Sequence, residues 1–103
     1  MIKIINMRSG KKLKLGVPVI PVDRTTRLGN PFHMKNETER DKVCEEYEAY
    51  FNKKVAEKTD EKFMNDLRAI YKLAKNGDVY LACWCYPKRC HAETIKKFIE
   101  SYL

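Results

Sequence analysis

The sequence predicts an α/β domain: a small sheet with helices packed on it and a tendency toward a Rossmann-like three-layer sandwich. Two segments between Glu37 and Asn76 repeat apolar residues at helical spacing and read as a helical pair. The later stretch "DVYLACWC" is apolar in both alternating phases, the mark of a central strand covered on two sides. Short isoleucine- and valine-rich runs near the amino end supply further strands, and the order of strands, helices, strand and helix favours a parallel component.

The elements follow in order. "IKIINM" is a short strand closed off by "SGKK". "VPVIPV" is a second, and because Pro18 and Pro21 cannot donate to a ladder it belongs at a sheet edge. The same segment could cover the edge of a neighbouring copy, which leaves the oligomeric state open. "DRTTRLGNPFHMKN" has no periodicity and is a long loop. From Glu37 to Lys58, the residues Val43, Cys44, Tyr47, Tyr50, Phe51 and Val55 share one helical face, with Asn36 or Thr38 as cap and Thr38 with Asp41 at capping-box spacing. The next helix carries Phe63, Met64, Leu67, Ile70, Tyr71 and Ala74, is capped by Thr59 or Asp60, and stops at Gly77 in a left-handed conformation. After the central strand and the turn "YPKR", Ile95, Phe98, Ile99 and Tyr102 mark a terminal helix.

With 103 residues, 44% of them hydrophobic, the chain is expected to form a single domain, 1–103, with a core of its own. No long apolar run suggests a membrane span or leader, so a cytoplasmic protein is expected. Four cysteines in such a chain read as thiols and not as a disulfide framework. The net charge of +7 is concentrated in residues 1–36, which carry eight basic and one acidic side chain. Such a balance favours anionic partners over membranes or cationic substrates.

Two segments hold the chemistry. "CWCYPKRCH", residues 83–91, lies at the carboxyl end of the central strand, where open α/β sheets bind ligands. Lys88 and Arg89 add charge there, and the amide-rich start of the last helix would attract an anion and lower a thiol's pKa. Cys90 is therefore the candidate nucleophile and His91 its proton partner. Cys83, Cys85, Cys90 and His91 are also zinc-type ligands. A Cys-x-Cys on a stiff strand and ligands adjacent in sequence suit a metal cage poorly, so no cofactor is predicted and zinc is kept as the alternative. In "DRTTRLGNPF", Arg24 and Arg27 are spaced to fork onto a phosphate, Gly29 allows a turn that aims amides at a ligand, and Asn30, held extended before Pro31, can orient it.

With both segments in view, the chain resembles a family of domains common in bacteriophages and bacteria and known only as a domain of unknown function. The likeness runs from Val19 to about Ile99. It rests on an R-x-x-x-x-GNPF motif, here Arg24 followed by "TTRLGNPF", and an L-x-C-W-C-x-P-x-x-C-H motif, here "LACWCYPKRCH". The resemblance implies that residues 24–32 and 83–91 belong to one site, and a phage origin would put the protein in a host cytoplasm. Relatives tend to have alanine where Tyr86 stands, so the pocket beside it is expected to be narrower. The expected function is binding of a nucleotide or phosphorylated nucleoside-like ligand, with or without a reaction on it. The alternatives are a non-catalytic module that uses Lys11, Lys12 and Lys14 on nucleic acid or a host protein, and a zinc-stabilised interaction domain.

Overall fold

A computed structural model describes residues 1–8 and 16–103. Lys11, Lys12 and Lys14, the basis of the nucleic-acid alternative, lie outside the described residues. The elements are β1 (Ile2–Asn6), β2 (Val19–Pro21), α1 (Arg40–Glu57), α2 (Glu61–Asn76), β3 (Val79–Cys83) and α3 (Ala92–Glu100), with a 3-10 turn at Glu37–Glu39 before α1. The three strands form one parallel sheet in the order β1-β3-β2, with Ile4 and Ile20 both registered on Leu81. The α/β class, the central position of β3 and the edge position of the proline-bearing β2 are as expected.

Alternation along the strands decides which face is covered. Ile2, Val79, Leu81 and Cys83 are fully buried and join a single core with Tyr47 and Phe51 of α1, Phe63, Leu67 and Ile70 of α2, and Ile95 and Ile99 of α3. Aromatic edges lock the helices together: Phe51 meets Phe63 at 5.6 Å and Phe98 at 5.3 Å between ring centroids. On the opposite face Lys3, Val19 and Pro21 are exposed and Ile5 and Tyr80 half-buried. Among the described residues the helices share one core with the Ile2, Val79, Leu81 and Cys83 face of the sheet. On that second face of β3, Ala82 is buried and Tyr80 half-buried, in keeping with a strand apolar in both phases.

The local details settle the caps that the sequence left open and correct the expectation at Gly77. Asn36, not Thr38, makes the cap, its Oδ1 accepting from the Thr38 amide at 3.0 Å, and it starts the 3-10 turn so that α1 proper begins at Arg40. α1 closes on Lys58 in the left-handed region (φ 55°), its amide donating to the Lys54 carbonyl. Gly77 is extended (φ 163°) and takes no left-handed turn. The α2 cap is Asp60, whose carboxylate accepts from the Phe63 amide at 3.0 Å.

Candidate ligand site

Parallel β2 and β3 deliver their carboxyl ends to the same edge of the sheet. The Val22 amide donates to the Ala82 carbonyl at 2.9 Å, carrying the pairing one residue past β2. Immediately beyond, Trp84 Nε1 donates to Asp23 Oδ2 at 3.1 Å, joining the two segments across 61 positions of sequence. Between them opens a cavity of about 210 Å³, bordered by Asp23, Arg24 and Asn30 of the first segment and Trp84, Cys85, Arg89, Cys90 and His91 of the second. Arg40, Val43 and Cys44 of α1 close the third side.

The first segment is built mostly from bonds to itself. The Thr26 amide donates to the Asp23 carbonyl and the Gly29 amide to the Thr26 carbonyl, both at 3.0 Å, giving two successive turns. Gly29 is required because a Cβ there would collide with the Asp23 carbonyl and the Arg24 Cα, a close backbone approach and not an amide nest. Arg24 Nη1 donates to the carbonyls of Asn30 (2.6 Å) and Phe32 (2.8 Å). Asn30 Oδ1 accepts from the Phe32 amide at 2.8 Å, and its Nδ2 donates to the Val43 carbonyl at 3.4 Å. Asn30 is thus buried and shapes the loop. Arg27 points away to α2, where Nε and Nη2 grip Asp66 at 3.0 and 3.3 Å; that hydrogen bond raises its pKa. The expected fork of Arg24 and Arg27 does not form, because their side chains leave the turn on opposite sides.

The second segment is held by its neighbours. Asn6 of β1 donates to the carbonyls of Trp84 (3.1 Å) and Tyr86 (2.9 Å), bracing a turn that contains the cis Tyr86–Pro87 peptide. Arg40 donates to the Arg89 carbonyl at 3.0 Å and takes Glu37 with two nitrogens, both at 2.9 Å. Lys88 reaches Glu37 at 3.2 Å and lies outside the cavity, while Arg89 pairs with Asp41 at 3.0 Å and borders it. The hydrogen bonds from Arg40 and then Lys88 hold the Glu37 carboxyl down to about 2. Sequence reasoning missed Arg40 and Asp23. The signal for Arg40 was a cation in the first turn of a helix, where the dipole disfavours it. For Asp23 it was an acid directly after a strand end.

The start of α3 is not the free anion dock that was expected. The Cys90 amide donates to the Glu93 carboxylate at 3.1 Å and the Ala92 amide to Cys90 Sγ at 3.3 Å. Cys90 is buried, and its thiol donates to Cys83 Sγ at 3.1 Å. That bond and burial push the Cys90 thiol up. The lowered pKa expected at Cys90 does not arise, and Cys83 beside it has no exposed surface. His91 Nε2 bonds the Val22 carbonyl, its ring stands edge-on to Tyr47 at 5.1 Å, and burial lowers its pKa. Cys90 and His91 thus bond different partners and not each other. Among the described residues no group of three or more His, Cys, Asp or Glu side chains is placed to hold a metal ion. Of the four candidate ligands, Cys83 and Cys90 meet sulfur to sulfur, while His91 Nε2 turns to the Val22 carbonyl.

What remains is a hollow with a thiol-rich floor and a charged mouth, where Arg24, Arg40 and Arg89 face a single bordering carboxylate, Asp23. Asp23 stays ionised, its pKa lowered chiefly by the Thr25 hydroxyl donating at 2.7 Å. Fold and site together define a small α/β domain with a mainly apolar pocket, bordered by three arginines, beyond the carboxyl ends of a parallel sheet. The chain belongs to the family described as Domain of unknown function (DUF4326), whose model matches residues 5–101. No curated protein and no solved structure matches it. No helix among the described residues is long and apolar enough to cross a membrane.

Proposed function

We propose that the cavity binds a phosphorylated nucleoside-like anion. The observation that carries this reading is the meeting of the two motif segments, with three guanidinium groups around one hollow at strand ends. Arg40 and Arg89 are the phosphate ligands. Each has a carboxylate partner on one side, Glu37 or Asp41, and borders the hollow on the other. Trp84, 54% exposed at the rim, offers a stacking face for the base, and Asp23 keeps acceptor capacity for a sugar hydroxyl. A hollow of about 210 Å³ takes one end of a mononucleotide, and the other end lies over Trp84. Cys90 and His91 enter as floor and wall, because their polar atoms are engaged by Cys83 and Val22.

Calorimetric titration with nucleoside monophosphates and the matching nucleosides tests this. At least one monophosphate is expected to bind, its nucleoside roughly tenfold or more weaker, and Arg89→Met is expected to cost about tenfold in affinity. Equal affinity for nucleoside and monophosphate, or no binding across the panel, refutes it.

A further inference from the structure

The floor of the cavity holds a feature that ligand binding does not use. Cys83 and Cys90 place their sulfurs 3.1 Å apart, closer than sulfur atoms normally pack, with the Cys90 thiol donating to Cys83. A disulfide needs about 2.05 Å between sulfurs, so roughly 1 Å of approach separates the thiol pair from a covalent bond. Cys83 ends β3 and Cys90 stands two residues before α3, two elements that share the core, so the folded chain already holds the pair together. Their surroundings differ usefully. Cys83 is sealed in the core, whereas Cys90 borders the cavity and so meets whatever enters it. Cys44 and Cys85 also border the cavity, and no sulfur contact ties either of them to another cysteine among the described residues.

We infer that Cys83 and Cys90 form a reversible dithiol–disulfide centre that is oxidised by a small peroxide entering the cavity. Cys90 Sγ attacks the peroxide: an S–O bond forms, the O–O bond breaks, and the first water leaves. The Cys90 thiol proton goes to the departing hydroxide, which leaves as that water, and the Cys83 thiol proton goes in the next step to the hydroxide that leaves the sulfenic sulfur. Cys83 Sγ then attacks the sulfenic sulfur of Cys90; the S–S bond forms, the S–O bond breaks, and a second water leaves. In sum, two thiols lose two electrons and two protons, and hydrogen peroxide becomes two waters. An added dithiol reverses the step by exchange.

The test uses the full chain without any nucleotide, so its outcome is independent of the ligand reading. The protein is exposed to hydrogen peroxide, denatured in an alkylating reagent and mapped by mass spectrometry. Cys44 and Cys85 are expected to be alkylated while Cys83 and Cys90 are not, and all four should be alkylated after dithiothreitol. Trypsin cuts after Lys88 and Arg89, between the two cysteines, so the peptides remain joined only through a disulfide. Because Cys85 shares a peptide with Cys83, the linkage is checked in Cys85→Ser, where it should persist, and in Cys83→Ala, where it should vanish. Four alkylated cysteines after peroxide, a bridge that uses Cys85 or Cys44, or a Cys90 oxidised beyond recovery by dithiothreitol would each overturn the proposal. The wild-type map decides the matter even if Cys83→Ala fails to fold.

Discussion

The two segments that enclose the cavity are held by opposite means. Asp23–Phe32 keeps its shape largely through bonds within itself: Arg24 ties off two of its own carbonyls, Thr25 and Thr26 bond Asp23, and Gly29 allows the turns to close on each other. Cys83–His91 depends on distant elements, with Asn6 of β1, Arg40 of α1 and the Val22 carbonyl after β2 fixing its turn from three sides. The lesson is that a loop can be rigid for local reasons and still lose part of its apparent binding capacity, since an arginine that braces a backbone has fewer donors left for a ligand. The externally braced segment leaves Arg89 and Trp84 at the rim, available for recognition.

Local closure gives the largest expected effect. Gly29→Ala drives a methyl group into the Asp23 carbonyl, backbone against backbone with no flexible side chain to yield, and should cost about 3 kcal/mol in urea unfolding. A loss under about 0.5 kcal/mol would mean that the two turns are not packed as described.

A smaller effect, in pH, probes the bond that ties the two segments together. His91 is neutral in the fold because burial lowers its pKa below 6.5, while the unfolded chain takes up the proton near that value. The unfolded state therefore binds more protons once the pH drops below about 6.5, and stability falls from there downward, with no contribution above it. The urea midpoint should decline between pH 7 and pH 5, and His91→Gln should flatten that slope. Asp23, whose pKa is also lowered, acts in a separate window, below its ordinary 3.8. An unchanged slope in His91→Gln would assign the decline to other groups.

The smallest effect is expected at Arg27, which belongs to the first segment by sequence and to neither side of the cavity by position. Its pair with Asp66 is largely exposed, so Arg27→Ala should leave both the unfolding midpoint and nucleotide affinity unchanged. A loss of affinity would return Arg27 to the site and break the division drawn between it and Arg24.

Much of this was legible in the chain. The stripes Val43–Tyr47–Phe51 and Phe63–Leu67–Ile70 and the run Val79–Leu81–Cys83 bury as their spacing says, because a helix face and a strand face are properties of neighbouring residues. The convergence of residues 24–32 and 83–91 was expected too, and strand ends in a parallel sheet bring it about. What each side chain does once it arrives was not legible. Arg24 and Arg27 look alike in "DRTTR", yet one braces a loop and the other pairs with α2. Cys90 at a helix start looked like an activated thiol until Cys83 was found against it. Nor could the sequence assign Arg40, which reaches the cavity from the start of α1 and donates to the Arg89 carbonyl.

By itself, then, the sequence determined the elements, their order, the faces they bury and the edge of the sheet where a site would lie, because periodicity and chain chemistry act over a few residues. Only the tertiary structure decided the partner of each charge and the meeting of the two sulfurs. Those depend on which atoms far apart in the chain come within about 3 Å, and hydrogen bonds and ion pairs fall away steeply beyond that reach.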